Sequence, residues 1–193
     1  MKDTINTCIL NSMKLNELLL NDSNIHSTLI NIVDLIVNSY KKSNKVLFCG
    51  NGGSAADAQH IAAELSGRFY KDREPLYAEA LHVNSSFVTA VANDYGFDHV
   101  YSRMIEACGK KGDVFFAIST SGNSKNIVNA LIKANEMGLV TIGLTGNNKG
   151  KLNDYCDFLI EIPSIDTPRI QESHILIGHI ICQLVEEKMF PDA

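Results

Sequence analysis

Two short polar loops and one spaced pair of side chains carry most of the chemistry this sequence offers. The first loop is Gly50-Asn51-Gly52-Gly53-Ser54. It follows the apolar run KVLFC and opens an alanine-rich stretch that reads as a helix. Glycines let a backbone turn tightly and approach a ligand closely, and the free N–H groups of the helix behind them make an anion site. The second loop is Ser119-Thr120-Ser121-Gly122-Asn123-Ser124, between the apolar run DVFFAI and another helical stretch. A helix cap needs one hydroxyl, and this loop has those of Ser119, Thr120, Ser121 and Ser124. Hydroxyl donors at a helix start suit a phosphate ester. No P-loop lysine follows either loop, which argues against a nucleoside triphosphate. Gly50, Gly52 and Ala55 also fit a dinucleotide fingerprint. That reading wants an acidic residue at the end of the next strand, where His82, Val83 and Asn84 stand instead and Glu79 comes too early.

His60 and Glu64 lie four residues apart on the helix that begins at the glycine loop, so they share a face one turn apart. Alone, such a pair is usually a solvated ion pair; behind a phosphate-type loop it becomes a candidate acid–base pair. The last helical stretch carries Arg169, Gln171, Glu172, His174 and His179, with Thr167 as an expected cap and Pro168 at its first position. Gln171 and His179 should point roughly 80° apart, with about 12 Å of rise between them. In a regular helix they do not both reach one small atom unless Gln171 sits in the first turn, or unless they serve sites in different subunits. His174 points elsewhere and reads as structural or interfacial. A third polar insert, Asn93-Asp94-Tyr95-Gly96, is either a plain turn or a place where Asp94 meets sugar hydroxyls. A carboxylate base, an imidazole shuttle and a divalent ion that polarises a carbonyl together suit a proton transfer between adjacent sugar carbons.

The elements that must position these residues follow from periodicity. Apolar residues at helical spacing up to about residue 43 predict two N-terminal helices, broken at Asn21-Asp22-Ser23. Five short apolar strands follow, at 46–50, 78–83, 113–119, 139–145 and 158–163. Helices are expected between them, at 54–66, 85–108, 124–137 and 168–188. Continuous apolar strands alternating with helices predict a three-layer α/β fold with a five-stranded parallel sheet, in one domain spanning residues 1–193. Ligands of such sheets sit beyond the carboxyl ends of the strands, and both polar loops lie there. The chain of 193 residues is 45% hydrophobic and 20% charged with a net charge of −5, a balance that speaks against nucleic acid and anionic membrane as partners. Five cysteines without a C-x-x-C pair, and an N-terminus without a continuous apolar run, predict a reduced, cytoplasmic protein.

Taken in order, CGNGGSAADAQHIAAELSGRF, ANDYGF, ISTSGNS and RIQESHILIGHIICQLVE resemble the phosphoheptose isomerases of the sugar isomerase (SIS) fold, over residues 30 to 190. The resemblance implies conversion of sedoheptulose 7-phosphate to D-glycero-D-manno-heptose 7-phosphate, for bacterial surface heptose. It implies Glu64 as base with His179 as its partner, and a zinc site of His60, Glu64, Gln171 and His179. It also implies substrate contacts from Asn51, Gly52, Gly53, Glu64, Asn93, Asp94, Ser119, Thr120, Ser121, Ser124 and Gln171. A homotetramer with sites between subunits is implied as well. Pro168 departs from the family pattern, which often carries Ala or an acidic residue there. A Gln oxygen is a weak zinc donor beside His and carboxylate. The same fold includes a non-catalytic binder of the bacterial replication initiator. That protein lacks a glutamate and histidine at the places of Glu64 and His179, and this chain has both.

Overall fold

The computed structural model describes residues 1–148 and 150–192. Five strands, β1 (Val46–Gly50), β2 (Ala78–Ala80), β3 (Val114–Ile118), β4 (Val140–Gly146) and β5 (Phe158–Ile162), form one sheet in the order β2-β1-β3-β4-β5. Every pairing is parallel, with Val46 opposite both Ala78 and Val114, and Ile142 opposite Phe158. β2 ends at Ala80, three residues before the expected limit: the Leu81 N–H still bonds to the Phe48 carbonyl, and the chain then turns toward the next helix.

Side chains of a strand alternate between its faces, and each face is covered by helices. α1 (Lys2–Leu20), α2 (Ser23–Lys41), α3 (Gly53–Ser66) and α7 (Thr167–Met189) bury one face with Val46, Phe48, Phe116 and Ile118. α4 (Ser85–Tyr95), α5 (Val100–Cys108) and α6 (Lys125–Glu136) bury the other with Leu47, Cys49, Phe115 and Ala117. The three-layer expectation therefore stands. The single helix expected over 85–108 is instead two, because Gly96 adopts φ +88° and breaks the helical path into a short 3-10 turn at Phe97–His99.

Strand order fixes where a ligand can sit. Chain order runs outward from β1 to β2 on one side and to β3 on the other. The crevice of such a sheet opens at that reversal, beyond the carboxyl ends of β1 and β3. The glycine loop follows β1 and the serine loop follows β3. The opposite ends of these strands are tied by a buried ion pair, Lys45 Nζ to Asp113 Oδ2 at 2.5 Å; Asp113 also accepts the N–H groups of Lys45 and Lys110.

Candidate active site

The glycine loop is held by backbone geometry that side chains would forbid. A methyl on Gly50 would lie 2.2 Å from the Ser54 carbonyl oxygen, and Gly52 takes φ +57°. The Tyr101 hydroxyl donates to the Gly50 carbonyl from below. Asn51 and Asn126 exchange two side-chain hydrogen bonds of 2.9 Å, which tie the glycine loop to the first turn of α6. The Asn51 amide is thus committed to Asn126 at the start of α6, a role that spacing alone did not reveal.

Across the crevice, the serine loop gathers its hydroxyls. Ser119 Oγ lies 3.2 Å from Ser124 Oγ and 3.5 Å from Ser121 Oγ. Ser124 occupies the N-cap of α6, yet its hydroxyl makes no capping bond. The plainer reading of this loop, a serine that merely caps its helix, is not what Ser124 does: its hydroxyl faces that of Ser119 beside a helix start without a side-chain cap, and Ser121 Oγ accepts the Asn123 N–H at 3.3 Å. A second segment braces the loop from behind. The Gly146 N–H and the Asn148 side-chain amide both donate to the Thr120 carbonyl, at 3.1 and 3.0 Å. The Leu152 N–H donates to the Gly122 carbonyl at 3.0 Å, and the Lys151 N–H to Asn123 Oδ1 at 3.1 Å. Sequence reasoning missed this brace, because the segment after β4 carries no motif of its own.

His60, Glu64 and His179 come together on the facing sides of α3 and α7. His60 Nε2 is 2.9 Å from His179 Nε2 and 3.2 Å from Glu64 Oε1. The two helices approach closely because residue 178 is glycine: a methyl there would stand 2.5 Å from Ile61 Cδ1. One ligand atom from each of the three residues falls within 4.8 Å of the others. Tetrahedral donors about 2.0–2.1 Å from a zinc ion stand about 3.3 Å apart, and two imidazoles with a carboxylate are an ordinary zinc donor set, so these residues fit the metal. Glu64 keeps a quarter of its side chain in solvent, open to a substrate.

Gln171 sits in the first turns of α7 with its amide against the glycine loop, so close that a methyl on Gly53 would lie 2.3 Å from its Nε2. It thus marks the loop end of the same α3–α7 groove, with His179 two turns further along. Thr167 is the first helical residue rather than the cap: Asp166 takes the N-cap position, without a side-chain capping bond. Asn93 and Asp94 lie exposed in the last turn of α4, where the Asn93 amide donates to Asp94 Oδ1 at 2.7 Å. Among the described residues, no hydrogen bond links them to either loop. Asp57 was not foreseen. It lies on the stripe of His60 and Glu64 at i, i+3, i+7; burial pushes its carboxyl up to about 6, against the opposing pull of His60. Its Oδ2 is buried without a partner.

A family model described as "SIS domain" matches residues 15–146. The phosphoheptose isomerase of Clostridium acetobutylicum is 49% identical over 190 residues, 98% of this chain and 97% of that protein. Phosphoheptose isomerase 2 of Campylobacter jejuni is 50% identical over 93% of this chain and 89% of its own length. The chain belongs to the phosphoheptose isomerase family of SIS-domain proteins. Solved structures of family members superpose closely. The phosphoheptose isomerase of Neisseria gonorrhoeae gives a TM-score of 0.90 at 38% identity, covering 96% of this chain and 98% of that one. That of Francisella tularensis gives 0.92 at 32% identity, covering 96% and 97%.

Proposed function

We propose that this protein isomerises sedoheptulose 7-phosphate to D-glycero-D-manno-heptose 7-phosphate. The observation that carries the reading is the convergence of His60, Glu64 and His179, within 4.8 Å of one another, on α3, the helix that starts from the glycine loop after β1, and on α7. The phosphate is assigned to Ser119, Thr120, Ser121 and Ser124 with the start of α6. Gly52 and Gly53 supply backbone N–H groups to the sugar, Asn51 fixes their loop, and Asn93 and Asp94 are assigned to sugar hydroxyls. Gln171, seated against Gly53, is assigned to the substrate; as a fourth metal donor it would have to leave that contact.

The chemistry is a proton transfer between neighbouring carbons. Glu64 takes the proton from C1 of the ketose, leaving an enediol-type intermediate, and returns it to C2. His179 moves the remaining proton from the oxygen on C1 to the oxygen on C2, so atoms and charge balance. Zinc held by His60, Glu64 and His179 would supply Lewis-acid polarisation of the carbonyl. Among the described residues no helix is long and apolar enough to cross a membrane. The enzyme is assigned to the cytoplasm and to bacterial surface heptose synthesis, with a small-molecule sugar phosphate as its partner and neither membrane nor nucleic acid. Ile5, Ile9, Leu10 and Met13 of α1 remain exposed, and such a surface supports assembly into a homotetramer with sites between subunits. We take residues 1–193 as one SIS domain.

The test is an NMR assay with sedoheptulose 7-phosphate in deuterated water, with and without a chelator. An aldoheptose phosphate carrying deuterium at C2, with a rate that falls on chelation and returns with zinc, is expected. Absence of product in the zinc-loaded protein rejects the isomerase.

A further inference from the structure

Behind the cluster, the chain leaving α3 folds back as a strap, residues 67–74, centred on a buried ion pair; Lys71 Nζ also donates to the Phe190 carbonyl at 2.6 Å. Arg73 Nε donates to Glu186 Oε1 at 3.0 Å, and the two side chains are only 1% and 2% exposed. Glu186 also accepts the backbone N–H groups of Phe69, Tyr70 and Lys71, at 3.1, 2.8 and 2.9 Å. Burial pushes its carboxyl up, but the N–H groups of Lys71, Phe69 and Tyr70, together with the guanidinium, outweigh it and hold the carboxyl below its ordinary value.

The other donors of Arg73 go to the end of α3. Nη2 donates to the Glu64 carbonyl at 2.9 Å, and Nη1 to the carbonyls of Leu65 and Gly67 at 2.8 and 2.9 Å. The last carbonyls of a helix have no partner within the helix, so Arg73 acts as a cap on the turn that carries Glu64. The strap held by the same pair brings the Phe69 ring to 5.6 Å from the His179 ring, centroid to centroid, at 30° between planes. One ion pair thus grips the backbone of Glu64 on α3 and an aromatic plate against His179 on α7. Both partners are buried away from solvent.

We propose that Arg73, Glu186 and Phe69 are positioning residues that hold Glu64 and His179 in working register. The assignment rests on the isomerase reading for its kinetic consequence, but not for its consequence on zinc binding. Arg is suited to the task and Lys is not. Only a planar guanidinium can donate to the Glu186 carboxylate and to the carbonyls of Glu64, Leu65, Gly67 and Glu74 at once.

The test compares Phe69→Leu, Arg73→Lys and Glu186→Gln with the unaltered protein. Readouts are kcat and KM for sedoheptulose 7-phosphate, zinc affinity from competition with a chelating dye, and the affinity for inorganic phosphate. Phe69→Leu, which leaves the buried pair intact, should lower kcat about tenfold and zinc affinity about 10-fold to 100-fold, the range seen when groups that orient metal ligands are lost. KM and phosphate affinity should stay within about twofold of the unaltered values. Arg73→Lys should go the same way with a larger fall in kcat. Glu186→Gln can fail to fold, and Phe69→Leu keeps the proposal answerable in that event. Unchanged kcat and unchanged zinc affinity in Phe69→Leu overturn it. So does a parallel loss of phosphate affinity, which would mark general damage rather than lost register. A wild-type protein that binds zinc but turns over no sugar would reject the isomerase, while the zinc readout would still decide the clamp.

Discussion

The serine loop and the His60–Glu64–His179 cluster are built in opposite ways. The loop is one contiguous hexapeptide, Ser119 to Ser124, and its hydroxyls meet because local chain geometry puts them together. Its brace comes from a single neighbouring segment after β4. The cluster joins α3 to α7 across more than a hundred residues, where Gly178 lets the helices touch and the Arg73–Glu186 pair ties their ends. A local device can hold a phosphate with interchangeable donors. A proton transfer needs few groups at fixed distances, and fixed distances between remote elements require packing. A single loss from the loop should therefore weaken phosphate binding and spare kcat, whereas a single loss from the cluster should remove turnover.

The sharpest way to break that contrast is Glu64→Gln. The amide keeps the shape of the side chain and removes the base, so kcat should fall by about 10²–10⁴, the range for a lost general base. Affinity for inorganic phosphate should be unchanged, because the loop is assembled independently. Phosphate affinity that fell with kcat, measured by isothermal titration, would mean that loop and cluster are one unit.

His174 lies between the two regions and links stability to pH. It is fully buried on α7, and neither ring nitrogen finds a partner among the described residues. Burial pushes its pKa from 6.5 down to about 4, partly opposed by the nearby Thr145 backbone. The unfolded chain takes up the proton first as pH falls, so the neutral, buried ring favours the folded state fully above about 6.5 and loses that advantage toward 4. Between pH 7 and pH 5 the loss from this residue should be on the order of 2 kcal/mol. Urea unfolding at fixed protein concentration should show that slope in the wild type and a shallower one in His174→Leu. Parallel slopes would relieve His174 of the role.

The same contrast explains what could be read from the sequence. The five strands, both loops and the His60–Glu64 pair were legible because each is a local pattern: an apolar run stopped by glycine, four hydroxyls at a helix start, an i, i+4 spacing. The break at Gly96 was half legible: Asn93-Asp94-Tyr95-Gly96 reads as a turn, but helical periodicity continues on both sides of it, and the positive φ decides for the interruption. Arg73 sits in the charged run KDRE and Glu186 in VEEK, and both runs look like solvated surface. Their pairing spans 113 residues, and no local pattern encodes it. The one available hint was that Glu186 falls seven residues after His179, on the same stripe of α7. Asn148 was equally silent, since its partner is a backbone carbonyl of another loop.

Asn148 offers the finest test of how the loop is held. Ser121→Ala removes a proposed donor to a charged phosphate, a loss of about 1.5 kcal/mol or more, so KM should rise at least about tenfold with kcat nearly unchanged. Asn148→Ala removes only one of two bonds to the Thr120 carbonyl, and Gly146 keeps the other. Because the side chain is exposed and water can replace it, KM should rise only about twofold to threefold. Asn148→Asp should do slightly worse than alanine, since a carboxylate cannot donate to the carbonyl and adds negative charge beside the loop. A tenfold effect from Asn148→Ala would make the brace as important as the hydroxyls, and the loop would then depend on remote packing as the cluster does. No effect from either variant would leave the loop held by its backbone alone, at the far end of the contrast from Glu64 and His179.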